Sequence, residues 1–288
     1  MPKILLFGSE GQIGWELAQR LSSLGPVQAF CRPDVDFLDL DGVVRLIRKE
    51  TPELIVNAVA YTAVDRAERE SDVAQAVNAV APGVLADEAK RLGAIFVHFS
   101  TDYVFDGRKR APYSEADAPV PLNVYAQTKL EGDRAVLAVG ESSFVFRTSW
   151  VYGGRGRNFF MTVSRLLADQ APLRIVNDQV GSPTWCRSVA EAAVAVLETV
   201  AGPNRRFNAS EVGGLYHMAC GGQTSWFEFA KAFLPPGTKV TPIPSQAYAA
   251  TAKRPPYSAL DSSLLARTFG VAMPPWQAAL TAFLATVR

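Results

Sequence analysis

Apolar residues along this chain follow two alternating patterns. Short unbroken runs at residues 3–7 (KILLF), 53–58 (ELIVNA), 94–100 (AIFVHFS) and 143–151 (SFVFRTSWV) read as strands buried on both faces. Between them, apolar positions recur at helical spacing. Residues 11–24 carry Ile13, Leu17, Leu21 and Leu24 on one face, and residues 73–92 and 125–138 continue the pattern. A further strand is predicted at residues 27–30. The alternation predicts the α/β class: a Rossmann-like, doubly wound parallel sheet with helices on both faces. Ligands of such sheets bind beyond the carboxyl ends of the strands. Here those ends are Gly8 and residues 58–62, 100–102 and 148–152.

After residue 152 the pattern loosens. Pro, Gly and Asn gather in YGGRGRN, AGPNRRFN, FLPPGT and AKRPPYS, with helices predicted at residues 158–169, 187–200 and 225–233. The expected division is a dinucleotide-binding domain over residues 1–152 and a smaller C-terminal α/β lobe over residues 153–288. The second part is expected to hold mainly the substrate, with segments free to return to the main sheet.

Composition narrows the function classes. Of 288 residues, 48% are hydrophobic and 20% charged, enough apolar material for a sizeable core. The net charge of +1, with Lys and Arg scattered, argues against a nucleic-acid partner. No apolar run reaches the roughly 18 residues of a membrane span, and the start of the chain is too short of apolar residues for a signal peptide. Cys31, Cys186 and Cys220 are odd in number and unpaired in spacing, so neither a disulfide framework nor a structural zinc site is expected. His98 and His217 lie in apolar runs and read as core residues rather than metal ligands. A reducing cytoplasm suits these features.

Two motifs carry chemistry. The turn FGSEGQIG follows a predicted strand and opens a helix. Its glycines permit a tight turn, close approach to a pyrophosphate and close helix packing, so Gly8, Gly11, Gln12, Ile13 and Gly14 form a candidate dinucleotide cradle. Arg32, in CRPD after the second strand, can pair with a 2′-phosphate. NADPH is therefore expected, with NADH as the alternative. The second motif is Tyr125 and Lys129, four apart on a predicted helix and hence on one face. A nearby ammonium lowers a phenol's pKa and fits it for acid–base work at a carbonyl oxygen. Ser100 and Thr101 end the preceding strand, where their hydroxyls can reach the same oxygen.

These motifs do not stand alone. GSEGQIG, NAVAYTAVDRAE, VNAVAPGVLA, STDYVFDG, VYAQTKLEGD, RTSWVYG, DQVGSPT and RPPYSALD occur in this order over nearly the whole chain. Together they resemble the extended short-chain dehydrogenase/reductase family, and within it the enzymes that reduce a keto nucleotide sugar to dTDP-L-rhamnose. The resemblance implies NADPH-dependent reduction of the C4 keto group of dTDP-4-dehydro-6-deoxy-L-mannose. It implies that Tyr125 and Lys129 are catalytic with Thr62 and Thr101. It places Asp39 and Leu40 near the adenine and Ala58 and Ala60 over the cofactor. It assigns Thr101, Asp102, Tyr103 and Val104 to the sugar site and packs Trp150 on the deoxysugar, where the residues alone suggest core packing. Arg254, in KRPPYSALD, is the expected partner of the diphosphate, the alternative being an exposed loop arginine.

Some family members dimerise around magnesium held by glutamates. Here one such position is Glu16, but the others fall on Arg187 and Ala282, so no metal is expected and the chain reads as a monomer or homodimer. Competing readings are another nucleotide-sugar epimerase, dehydratase or reductase of the family, and a non-catalytic NADP-binding regulatory subunit.

Overall fold

In a computed structural model, residues 2–202 and 207–287 are described. Part of the AGPNRRFN stretch lies outside them. The main sheet has six parallel strands among the described residues. Its order is Gly214–His217, β5 (Ser143–Thr148), β4 (Ile95–Thr101), β3 (Leu54–Asn57), β1 (Ile4–Phe7) and β2 (Val27–Phe30). A strand from the second half of the chain thus extends the sheet beside β5. From β1 the chain steps out to β2, then returns to β3 on the other side. The crevice between the ends of β1 and β3 is a topological switch point.

Strand pleating sorts the core into two layers. Ile4, Leu6, Leu54, Val56, Val97 and Phe99 point to one face, where they meet Leu17 and Leu21, from α1 (Gln12–Arg20) and the turn after it. Leu5, Phe7, Ile55, Phe96 and Val145 point to the other and meet Ile47 of α2 (Leu40–Glu50). The first face also receives Val189, Ala193 and Leu197 of Cys186–Val200, a helix from the second half.

The long helix expected over residues 73–92 is broken. After α3 (Val64–Ala67), the chain forms α4 (Ser71–Gln75), a π-helical turn over Ala76–Val80, and α5 (Ala81–Leu92). Pro82 cannot donate to the carbonyl one turn back. The freed Asn78 carbonyl lies where a Cβ on Gly132 would meet it at 2.1 Å, so α6 (Val124–Val139) packs directly on this turn. The strand predicted to reach residue 151 also stops early. Trp150 takes a left-handed φ of +46°, and Val151–Tyr152 pairs with Thr184–Trp185 in a separate sheet.

The second half packs aromatic side chains from three helices. Phe160 of Phe159–Ala168, Phe229 of Trp226–Phe233 and Phe283 of Trp276–Thr286 gather around Tyr152 and Trp185. Asn158 and Ser225 cap the first two, accepting the Met161 and Glu228 amide N–H groups. No helix of the described residues is long and apolar enough to cross a membrane.

Two buried polar groupings tie these layers together. Arg147 on β5 donates from Nε to Asp133 of α6 at 2.9 Å, with both side chains almost wholly buried. Asp102, just past β4, is 2% exposed; it accepts from Ser149 Oγ at 2.9 Å and from the Ser258 and Thr101 hydroxyls. One carboxylate thus joins the ends of β4 and β5 to the C-terminal loop. Burial pushes Asp102 up to about 6, against the pull of those hydroxyls.

Asp133→Ala leaves the Arg147 charge buried and unpaired, and should cost about 3–5 kcal/mol in urea unfolding. An unchanged midpoint would show the pair to be dispensable. Asp102 gives a pH signature. Its folded value lies above the unfolded one, so the folded state holds the proton more tightly, and the stability this supplies is lost as pH rises from about 4 to about 6. Asp102→Asn has no such loss. Its stability relative to the parent should rise by up to about 3 kcal/mol across that window. A difference independent of pH would contradict the assignment.

Candidate active site

The glycine turn forms one wall of the site. Gly8 has φ +87°, and a Cβ there would lie 2.8 Å from the Ala58 carbonyl carbon, so the ends of β1 and β3 approach only because position 8 has no side chain. Gly14 is packed still more tightly, its added Cβ falling 2.0 Å from the Gly8 oxygen. Gly11 precedes α1 and supplies no side-chain cap, leaving the first amide N–H groups to a ligand. A small-residue cradle ending at an open helix N-terminus fits a dinucleotide pyrophosphate.

Residues around the cradle divide by environment. Gln12 accepts from Asn158 Nδ2 at 2.8 Å, which ties the turn to the second half. Ile13 packs between the core of the sheet and the aromatic cluster. Ala58 and Ala60 are half-buried after β3. Arg32 is exposed past β2 and makes no ion pair among the described residues, as a 2′-phosphate partner requires. Asp39 is occupied locally. Its Oδ1 accepts the Gly42 N–H at 3.0 Å as the cap of α2, and Leu40 packs against the core.

The opposite wall is the start of α6. Asn123 caps it, accepting the Ala126 N–H at 2.8 Å and donating to the Lys253 carbonyl at 2.8 Å. Tyr125 and Lys129 follow one turn apart. The Tyr125 phenol lies beside the Thr101 hydroxyl, and its ring meets Tyr103 edge-on with centroids 6.0 Å apart. Burial pushes the Tyr125 phenol up to about 12; the Thr101 hydroxyl opposes this, and the Asp102 and Asp133 charges add to it.

Lys129 is 1% exposed. Its Nζ donates to the Phe99 carbonyl at 2.6 Å and lies 3.0 Å from His98 Nε2. Burial pulls it down to about 8, with Asp133 pulling the other way. The sequence predicts a lysine that lowers the phenol's pKa. Here the amine is turned into the sheet, and burial dominates the phenol.

Thr62 is exposed in the loop after β3. Asn78 holds its neighbour Tyr61 at two points, accepting the N–H at 2.8 Å and donating to the carbonyl at 3.1 Å. The same amide contacts Thr128 Oγ1, beside Lys129, at 3.2 Å. Sequence reading missed Asn78. Its signal is a polar residue inside an otherwise apolar helical stretch.

The residues expected at the sugar and the diphosphate sit in different surroundings. The Asp102 carboxylate points inward to three hydroxyls, and Val104 is fully buried with Phe105 and Leu130, so neither offers a side chain to a ligand. Tyr103 lies beside Arg254, and burial pushes its phenol well above the ordinary value. Trp150 is 9% exposed, and Trp226 stacks on it with centroids 3.5 Å apart and planes within 4°, so that face is core packing. Arg254 is not a free loop arginine. It grips Asp65 with both terminal nitrogens, at 2.8 and 2.6 Å. Asp65 also accepts the Thr251 and Ala252 N–H groups at 2.9 Å, joining the Thr62 loop to the loop before Arg254.

Glu16 Oε2 accepts from Arg187 Nε at 3.1 Å and from Arg20 at 2.6 Å. No group of three metal-binding side chains is assembled among the described residues.

Known proteins share this sequence and fold. The model of the RmlD substrate binding domain family matches residues 2–288. The dTDP-4-dehydrorhamnose reductase of Burkholderia thailandensis is 42% identical over 96% of both chains. The reductase of the same name from Escherichia coli is 39% identical over 95% of this chain and 94% of its own. A crystal structure of dTDP-4-dehydrorhamnose reductase from Bacillus anthracis in complex with NADP superposes with a TM-score of 0.91, at 31% identity and 99% coverage of both chains. Sequence and fold agree over the full length, and the chain belongs to the RmlD family within the extended short-chain dehydrogenases/reductases.

Proposed function

We propose that this chain reduces the C4 keto group of dTDP-4-dehydrorhamnose to give dTDP-L-rhamnose, with NADPH as donor and NADH as the alternative. It is an NAD(P)H-dependent oxidoreductase acting on a nucleotide sugar. The observation that carries the reading is the group Thr101, Tyr125 and Lys129 at the carboxyl end of the sheet, across the switch point from the glycine turn.

NADPH, when bound, supplies the hydride that reaches C4. The chain's own residues manage the proton and the geometry. Tyr125 gives its phenolic proton to the C4 oxygen as negative charge develops there. A phenol held at about 12 is protonated at neutral pH, as the donor in a reduction must be. Thr101 and Thr62 orient the oxygen through their hydroxyls. Lys129 is anchored on Phe99 and holds the cofactor's ribose from beneath Tyr125. The Gly8–Gly14 turn and α1 take the pyrophosphate, and Arg32 takes the 2′-phosphate. Residues 1–152 serve the dinucleotide and residues 153–288 mainly the sugar nucleotide. Arg254, aimed by Asp65, meets the diphosphate. The reaction is placed in the cytoplasm.

Loss of NADPH absorbance with dTDP-4-dehydrorhamnose tests the reading. One NADPH should be consumed per sugar, whereas an epimerase consumes none on balance and a binding subunit does not turn over. Tyr125→Phe should lower kcat by about 10²–10⁴-fold with NADPH affinity retained. Full activity in that variant would remove Tyr125 as the acid. Arg254→Ala should raise KM for the sugar nucleotide by roughly 10–100-fold while kcat changes little. An unchanged KM would take Arg254 out of the diphosphate site.

A further inference from the structure

His98 was read from the sequence as an ordinary core residue, and it is fully buried in β4. Its neighbours make it more than filling. Val59 donates its backbone N–H to Asn57 Oδ1 at 3.0 Å. A backbone N–H is a donor in every state, so the Asn57 atom facing it is the oxygen. The other end of that amide, Nδ2, therefore faces His98 Nδ1, at 3.2 Å. An amide nitrogen only donates, so Nδ1 is the acceptor and a neutral His98 carries its proton on Nε2. That nitrogen lies 3.0 Å from Lys129 Nζ.

The chain of bonds ends in a conflict. An ammonium at Lys129 has three N–H groups and no lone pair. One N–H goes to the Phe99 carbonyl. Opposite His98 the ammonium would set N–H against N–H. An amine at the same place accepts the Nε2–H and still donates to Phe99. The geometry therefore favours the lysine with one proton fewer. Burial acts the same way on Lys129, and it keeps the imidazole of His98 neutral.

We propose that His98 is a positioning residue for Lys129: oriented by Asn57 at the carboxyl end of β3, beside the glycine turn, it presents its Nε2–H to the lysine nitrogen and so sets that nitrogen's place and protonation. The charged and titratable groups around this site are few. Asp102 follows β4. Tyr125 and Asp133 lie on α6, with Arg147 of β5 paired to Asp133. α5 brings Glu88, which is engaged by Arg48 and Arg91. β3 and the π-helical turn bring only the uncharged Asn57 and Asn78.

The catalytic consequence rests on the reductase reading, but the arrangement itself can be read without cofactor or substrate. The chain has two histidines. His217 Nδ1 faces the Tyr113 carbonyl at 3.0 Å, so it carries its proton on Nδ1 and provides an internal reference of the opposite tautomer. Nitrogen-15 imidazole NMR of the free protein should show His98 as the Nε2–H form. Carbon-13 Cε NMR of Lys129, assigned by its loss in Lys129→Met, should titrate well below the ordinary lysine value.

In His98→Gln the new amide can turn its oxygen to Nζ. The Lys129 midpoint should then rise by about one pH unit or more, and the alkaline limb of kcat should move with it. Asn57→Asp offers acceptors to both Val59 and His98. It should shift the imidazole proton to Nδ1 and raise the same midpoint while His98 remains in place. A His98 proton on Nδ1 in the parent protein overturns the proposal, and so does a Lys129 midpoint unmoved in the variants that fold. Absence of NADPH turnover would count against the proposed function alone, since the NMR readouts do not depend on it.

Discussion

A lysine buried at the carboxyl end of a parallel sheet governs much of this structure. An unpaired charge in such a place is costly, and the group either finds donors and acceptors or gives up its proton. Lys129 has the Phe99 carbonyl on one side and His98 on the other, and its nearest carboxylate influence, Asp133, is already paired with Arg147. These partners come from β4, β5 and α6. Their spacing follows from the register that places Ser100 of β4 opposite Arg147 of β5. The site is therefore built into the sheet itself, which is the rigid kind of support that precise chemistry requires.

Other polar contacts extend that rigidity to the loops. Asn78 clamps the backbone of Tyr61 and so holds Thr62 near α6. The π-helical turn that presents Asn78 needs Pro82 on one side and Gly132 on the other. Asp65 does the equivalent work toward the second half, bonding two amides and Arg254. The Arg254 guanidinium beside it holds its carboxyl down at about 2, so the pair stays charged across the neutral range. The Thr62 loop and the second half of the chain are thus linked by short, directional bonds rather than by the apolar core alone.

The sheet was legible in the sequence because each strand is a continuous apolar run, which only burial on both faces explains. The glycine turn was legible because Gly8, Gly11 and Gly14 follow such a run directly. Contacts that depend on distant partners were not. Nothing near Arg254 shows that Asp65, 189 positions away, will hold it. The family resemblance assigns Asp102 and Val104 to the sugar site together with Thr101. Only the short 3₁₀ turn over Asp102–Val104 decides that their side chains point inward. His98 reads as a core residue and is buried in β4, but its polar contacts are hidden from the sequence for a different reason. Apolar neighbours on both sides disguise a ring whose two nitrogens meet Asn57 and Lys129 across the sheet.

Burial shifts the two α6 side chains in opposite directions, as a reduction needs. A phenol raised by burial keeps its proton until a stronger acceptor forms, and the oxygen of a carbonyl receiving hydride is such an acceptor. The lysine one turn on is pulled the other way, to about 8, so it can carry or release a proton near neutrality while the tyrosine cannot. One dry environment thus separates two groups that titrate close together in water.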